Sequence, residues 1–328
     1  MATPKIIEEI QKKAAANAAT VRAKRVSEGT GPTAPKESSL APIRHPQQDI
    51  FLAQIFDAAL KDDHASMEHP MFSLSKIPDL RIRVYEHKGN SITVTPSANG
   101  LATIWDKDIL LFTISTLIEA QNRKVPISRT VRLRARDLLV YCNRGTSGAE
   151  YNALAKAFER LAGTRIKTDI TTGEKRVRQG FGLLESWSIV ERTSSNRMAS
   201  IELTLSEWLY NAVVATEVLT LSQDYFRLRK GLERRLYELA RKHCGLQAKF
   251  SINLETLLKK SGAMCALKEF RRQIREIVQA DALPDYKITH ALDSDRVTIL
   301  TRDGGKHLRQ MIEDAHQRGI TTLDEIFA

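Results

Sequence analysis

Only three cysteines occur in this chain, Cys142, Cys244 and Cys265, far apart, with no C-x-x-C pair and no histidine at zinc spacing. An odd, dispersed set excludes a disulfide framework and suits free thiols in a reducing cytosol, as small buried apolar groups. Long apolar runs are missing as well. The most apolar stretch, ILLFTISTLI (109–118), is far short of the roughly 20 residues that a membrane-spanning helix needs. The opening MATPKIIEEIQKKAAANAATVRAKR scatters charge throughout and has no apolar h-region, so neither a signal peptide nor a membrane role is expected.

Catalytic apparatus is equally scarce. The eight histidines form no H-x-H pair that would hold a metal, and no G-x-x-x-x-G-K-[ST] loop is present to cradle a triphosphate. GFG (180–182) lacks the third glycine and the strand-to-helix setting of a phosphate fingerprint. DKD (106–108) reads as a helix start rather than a two-metal carboxylate cluster. KDDHASMEHP, with His64 and His69 near Asp62, Asp63 and Glu68, reads as a polar loop rather than a metal site. A protein without enzymatic activity, metal or cofactor is expected, which sets a nuclease or primase aside.

What is abundant is positive charge. Fifty Lys and Arg against 39 Asp and Glu leave +11 on a chain whose 42% apolar content is otherwise that of an ordinary globular protein. Such an excess speaks to partners and not to fold, with nucleic acid first among them.

At 328 residues the chain can hold two modest domains. Residues 1–46 read as a basic helix followed by a Gly/Pro/Ser/Thr linker, a mobile tail. Globular patterning follows, and its most informative feature is an internal repeat. In 47–205 an apolar helix (KDILLFTISTLIEAQ) precedes a short strand (VRLR), two helices and a strand pair read as TRIKTDI with KRVRQGFGLLESWSIV. In 206–303 a long helix over about 223–243 precedes KFSI, LETLLKK, ALKEFRRQIREIVQ and the strands DYKITH and DRVTILT. Residues 304–328 form a C-terminal tail. Leu138 and Leu139 match Leu257 and Leu258; Leu154, Phe158 and Leu161 match Phe270, Ile274 and Ile277. Helix, strand, helix, helix, hairpin is the order of a winged helix-turn-helix, so the predicted fold is α+β with two tandem winged-helix domains.

In such a domain the helix before the wing enters the major groove. In the second copy Phe270, Ile274 and Ile277 make the core stripe, and Lys268, Arg272, Arg275 and Gln279 face the other way, flanked by Arg271. The first copy offers Asn152, Lys156 and Glu159 instead, so the second is expected to read bases. Phosphate contacts are expected from Arg227, Lys230, Arg234 and Arg241, opposite a leucine stripe, and from a wing carrying Arg165, Lys167, Lys175, Arg176 and Arg178. Lys287, Arg296 and Arg302 give the second wing a thinner charge.

MEHPMFSLSKIPD (67–79), YEHKGNSITVTPSANGLATIWDKDIL (85–110), QGFGLLESW (179–187) and GLERRLYELARKHCG (231–245) resemble the plasmid replication initiator protein A family, over roughly residues 50 to 300. The resemblance implies a tandem winged-helix initiator that binds direct repeats (iterons) in double-stranded origin DNA. It also implies help in opening an AT-rich segment and recruitment of the host initiator and replicative helicase. A homodimer in equilibrium with monomer, the dimer repressing its own promoter, is implied too. A winged-helix transcriptional repressor without a replication role is the alternative.

Overall fold

The computed structural model describes residues 40–44, 50–53, 70–87, 90–172, 175–192, 197–215, 218–244, 247–305 and 307. Residues 1–39 of the expected tail, residues 54–69 with His64 and His69, and residues 308–328 lie outside the described residues.

The fold mixes α and β. In chain order come β1 (Ile50–Ala53), β2 (Arg83–His87), β3 (Asn90–Thr95), α1 (Lys107–Asn122), β4 (Thr130–Leu133), α2 (Ala135–Tyr141) and α3 (Gly148–Gly163). Four strands follow, β5 (Arg165–Thr172), β6 (Lys175–Gly182), β7 (Leu184–Arg192) and β8 (Arg197–Leu205), then α4 (Glu207–Ala215) and β9 (Val218–Leu221). After a 3-10 turn (Gln223–Arg227) come α5 (Gly231–His243), β10 (Lys249–Asn253), α6 (Leu254–Ser261), α7 (Leu267–Ala280), β11 (Tyr286–Ala291) and β12 (Arg296–Thr301).

In the later unit, β10 pairs with β12 and β12 with β11, all antiparallel, giving a three-stranded sheet behind α5, α6 and α7. The earlier unit has a sheet of the same order, β4-β8-β7. The registers agree: Val131 opposite Leu203 and Leu133 opposite Ile201 take the places of Phe250 opposite Ile299 and Ile252 opposite Val297.

This agreement corrects the expected hairpin of the first copy. The strands that correspond to β11 and β12 are β7 and β8. The hairpin β5–β6 is an addition between α3 and β7, and it pairs with β3 in a separate sheet of order β2-β3-β5-β6. The stretch 175–190, read as one strand, is two strands that join different sheets on either side of buried Leu183.

Local chemistry sets the edges of α6 and α7. Asn253 Oδ1 accepts the Glu255 N–H at 2.9 Å, capping α6. Gly262 ends α6 at φ +72°, and a Cβ there would press on the Pro70 ring. Helix α7 then buries Phe270, Ile274 and Ile277 and ends on Asp281 at φ +46°. Each such side chain contributes about 1.5–3 kcal/mol by leaving water.

The two units are joined through a buried seam that the sequence did not announce. Lys107 and Asp108 open α1 as buried residues, and α5 supplies their partners. Arg234 Nη1 donates to Asp108 Oδ1 at 2.7 Å, and Lys107 Nζ lies 2.9 Å from Glu238 Oε1. Arg144 completes the pairing of Asp108 at 3.0 Å. Beside these charges a line of ring contacts runs from Phe112 through Tyr141, Phe226, Tyr225 and Tyr237 to Tyr286, with centroids 4.8–5.7 Å apart. The chain between Phe226 and Leu228 also turns its carbonyls onto the Arg234 guanidinium, at 3.2 and 3.1 Å. The expected helix over 223–243 is interrupted there, with Leu228 and Lys230 extended.

Two expected boundaries shift. Helix α4 belongs with the earlier unit, past the expected edge at 206: Trp208 stacks on Phe181 at 4.1 Å, and the Tyr210 hydroxyl donates to the Ile127 carbonyl at 3.2 Å. Residues 40–44 of the presumed tail are docked across both units. Leu40 is buried, Arg227 Nε donates to the Ala41 carbonyl at 2.7 Å, and Asn143 Nδ2 donates to the Pro42 carbonyl at 3.0 Å.

Candidate nucleic-acid interface

The face of α7 opposite its buried stripe is a row of side chains in solvent. Lys268, Arg275 and Gln279 are exposed, and among the described residues none of the three makes a side-chain hydrogen bond or ion pair. Arg272 is on the same face, but its own helix holds it: Nη2 and Nε bond Glu269 at 2.6 and 2.8 Å, and Nη1 bonds Glu276. The Arg272 bonds, with one from Gln273, pull the Glu269 carboxyl down to about 2. Glu269 and Glu276 act as a rail that keeps one guanidinium extended along the helix surface.

Arg271, expected beside the reading face, makes a two-pronged pair with Asp295 just before the closing strand, at 3.0 and 2.6 Å, so its donors are engaged by a carboxylate. Asp295 also lies 2.9 Å from His290 Nε2. The Arg271 hydrogen bond and then that of His290 hold the Asp295 carboxyl at about 2.

The expected cationic stripe on α5 does not form a surface. Arg234 is 3% exposed and ends on Asp108. Arg227 pairs with Asp224 at 2.7 Å as well as with Ala41, and Arg241 is half-buried against Tyr286. Lys230 remains exposed and reaches Glu276 at 3.4 Å. The helix fills the joint between the units, so apolar and charged residues alike face protein.

On the earlier unit Asn152 and Lys156 are exposed, and Glu159 accepts a hydrogen bond from Asn99 at 2.7 Å. The cations given to the first wing sit on the additional hairpin. Arg165 and Lys167 are exposed on β5, Lys175 opens β6 opposite Thr172, and Arg176 and Arg178 converge on Asp169 at 2.6 and 3.0 Å. In the closing hairpin of the later unit Lys287 and Arg296 are exposed, whereas Arg302 bonds Asp281 at 2.6 Å. The arrangement offers one open polar row on α7 and a dispersed set of cations elsewhere.

Asp295 and His290 were missed by the sequence reading. The available signal was an acidic residue just past the turn ALDS, with nothing in the linear order to say which cation it would meet.

A family described as replication initiator protein A matches residues 61–288. The chain belongs to the replication initiator protein A family. A protein of Wigglesworthia glossinidia brevipalpis whose name assigns it to replication is 39% identical over 259 residues, covering 78% of this chain and 94% of that one. Among solved structures, domains 2 and 3 of RctB superpose with a TM-score of 0.55 at 11% identity, covering 72% of this chain and 96% of that one. A second RctB structure of the same domains gives 0.50 at 14% identity, over 70% and 94%. At such identities the RctB likeness concerns the fold alone. The resemblance drawn from the four sequence stretches thus holds for this initiator family, and no helix among the described residues is long and apolar enough to cross a membrane.

Proposed function

We propose that this member of the replication initiator protein A family is a sequence-specific binder of double-stranded DNA that starts plasmid replication at direct repeats. Each helix-strand-helix-helix-hairpin unit is a winged helix, and α7 is the element that enters the major groove. The observation that carries this reading is the open row Lys268, Arg275 and Gln279, set on a helix whose other side is locked into the core by Phe270, Ile274 and Ile277. A rigid backing with unengaged donors is what base readout requires, since a bidentate Arg or Lys contact to guanine discriminates by about 1–3 kcal/mol. Arg272 joins by exchanging a carboxylate for a base edge or phosphate. Lys156, Arg165, Lys167, Lys287 and Arg296 add sequence-independent affinity.

The protein works without catalysis or cofactor, in the cytoplasm. It binds repeats, helps open adjacent DNA, draws in the host initiator and replicative helicase, and represses its own gene as a dimer. Hydroxyl-radical footprinting on DNA flanking its gene, with replication of an origin-only plasmid, tests the reading. Regular protection of direct repeats and plasmid maintenance are the expected results. Protection without replication would reduce the protein to a repressor, and no protection would overturn DNA reading altogether.

A further inference from the structure

One residue ties together α7, β11 and the start of α6 in the later unit. Asp295 takes the Arg271 guanidinium of α7 on both carboxylate oxygens. It meets His290 Nε2 on β11 at 2.9 Å, and His290 is itself buried at its side chain. Its backbone carbonyl accepts the Leu254 N–H that opens α6, at 3.0 Å. Asp295 sits at φ +50°, a left-handed conformation that these three contacts jointly hold in place. The repeat sets the two units apart here: with Leu154 and Phe158 matching Phe270 and Ile274, Ala155 stands where Arg271 is, so α3 has no guanidinium at that place.

We propose that Asp295 is a positioning residue for DNA reading, a hub that sets the hairpin β11–β12 and the start of α6 against α7 so that wing and reading helix meet the duplex at one angle. This rests on the reading of α7 as the groove-entering helix. It gives Arg271 a role other than phosphate contact. The two roles predict opposite results, because removing a carboxylate beside phosphates and releasing a guanidinium would favour binding if Arg271 touched DNA.

The test is fluorescence anisotropy of the full chain on repeat duplex and on unrelated duplex, over a salt series. For Asp295→Ala the expected result is about a tenfold loss of affinity for repeats, the scale of a broken contact network. Affinity for unrelated DNA and the salt slope should be unchanged, since no phosphate contact is lost. Asp295→Asn, which keeps the size and an acceptor, should fall between, and the exchange Arg271→Asp with Asp295→Arg should recover part of the loss. Melting curves confirm which variants are folded at the assay temperature, and Asp295→Asn carries the test if Asp295→Ala is not. Tighter binding by Asp295→Ala, or an Arg271→Ala salt slope lower by about 1, would overturn the proposal in favour of direct contact. Unchanged discrimination in both Asp295 variants would also overturn it. A wild-type chain that does not distinguish repeats from unrelated DNA would sink the DNA-reading proposal instead.

Discussion

The two units share element order, sheet order and core register, yet their helices before the closing hairpin are used differently. Helix α3 turns Arg160 back to Asp106, with bonds of 2.7 Å, and lends Glu159 to Asn99. Helix α7 keeps Lys268, Arg275 and Gln279 open and braces its flank through Arg271 and Asp295. The earlier unit has also gained the hairpin β5–β6 and the sheet it completes. One scaffold, used twice, has thus been spent once on internal architecture and once on an outward surface. Charge count alone would not separate the two, because a guanidinium satisfied by a carboxylate does not offer its donors to DNA.

The comparison can be broken first at the seam. Asp108→Ala would leave Arg144 and Arg234 facing each other in a buried site, and should cost about 3–5 kcal/mol of stability, the scale for removing one partner of a buried pair. Thermal or urea unfolding checks this, and a loss under about 1 kcal/mol would show the units to be only loosely joined. Next come the outward faces of α7 and α3. Lys268→Ala and Arg275→Ala should each weaken repeat binding by about 1–3 kcal/mol if they touch base edges, as read by competition titration. Lys156→Ala on α3 should reduce the salt slope by about 1 with no loss of discrimination, which a salt series measures.

The smallest effect concerns pH. The Asp295 carboxyl goes from 3.8 to about 2 on folding, so its contribution is present above about pH 4 and is lost as pH falls through about 2. Asp295→Asn should therefore flatten the stability profile between those values. Acid titration of both chains followed by circular dichroism would show it, and parallel curves would contradict the pairing.

Much of the later unit was legible in advance. Phe270, Ile274 and Ile277 recur at helical spacing, so the buried stripe and the opposite face of α7 follow from periodicity alone. The match of leucines between copies located α2 and α6. Partners at long range were not legible: Asp295 lies 24 residues from Arg271, and Asp108 lies 126 from Arg234. A basic row on a helix looks the same in sequence whether it meets water, DNA or a distant carboxylate. For α5 the Arg234 position turned out to be core. Alternation likewise marked 164–190 as strands but not their sheet, since pairing choice depends on what the addition β5–β6 covers. Glu269 stands three residues before Arg272 and Glu276 four after it, spacings at which helix side chains pair, so this rail is legible in the sequence.

The most direct measurement is a titration of repeat duplex against unrelated duplex with wild-type protein and the double variant Lys268→Ala/Arg275→Ala. The account predicts that the variant stays folded, keeps its affinity for unrelated DNA within a few-fold, and loses its preference for repeats. Full preference in the folded variant would contradict the assignment of α7 as the reading helix.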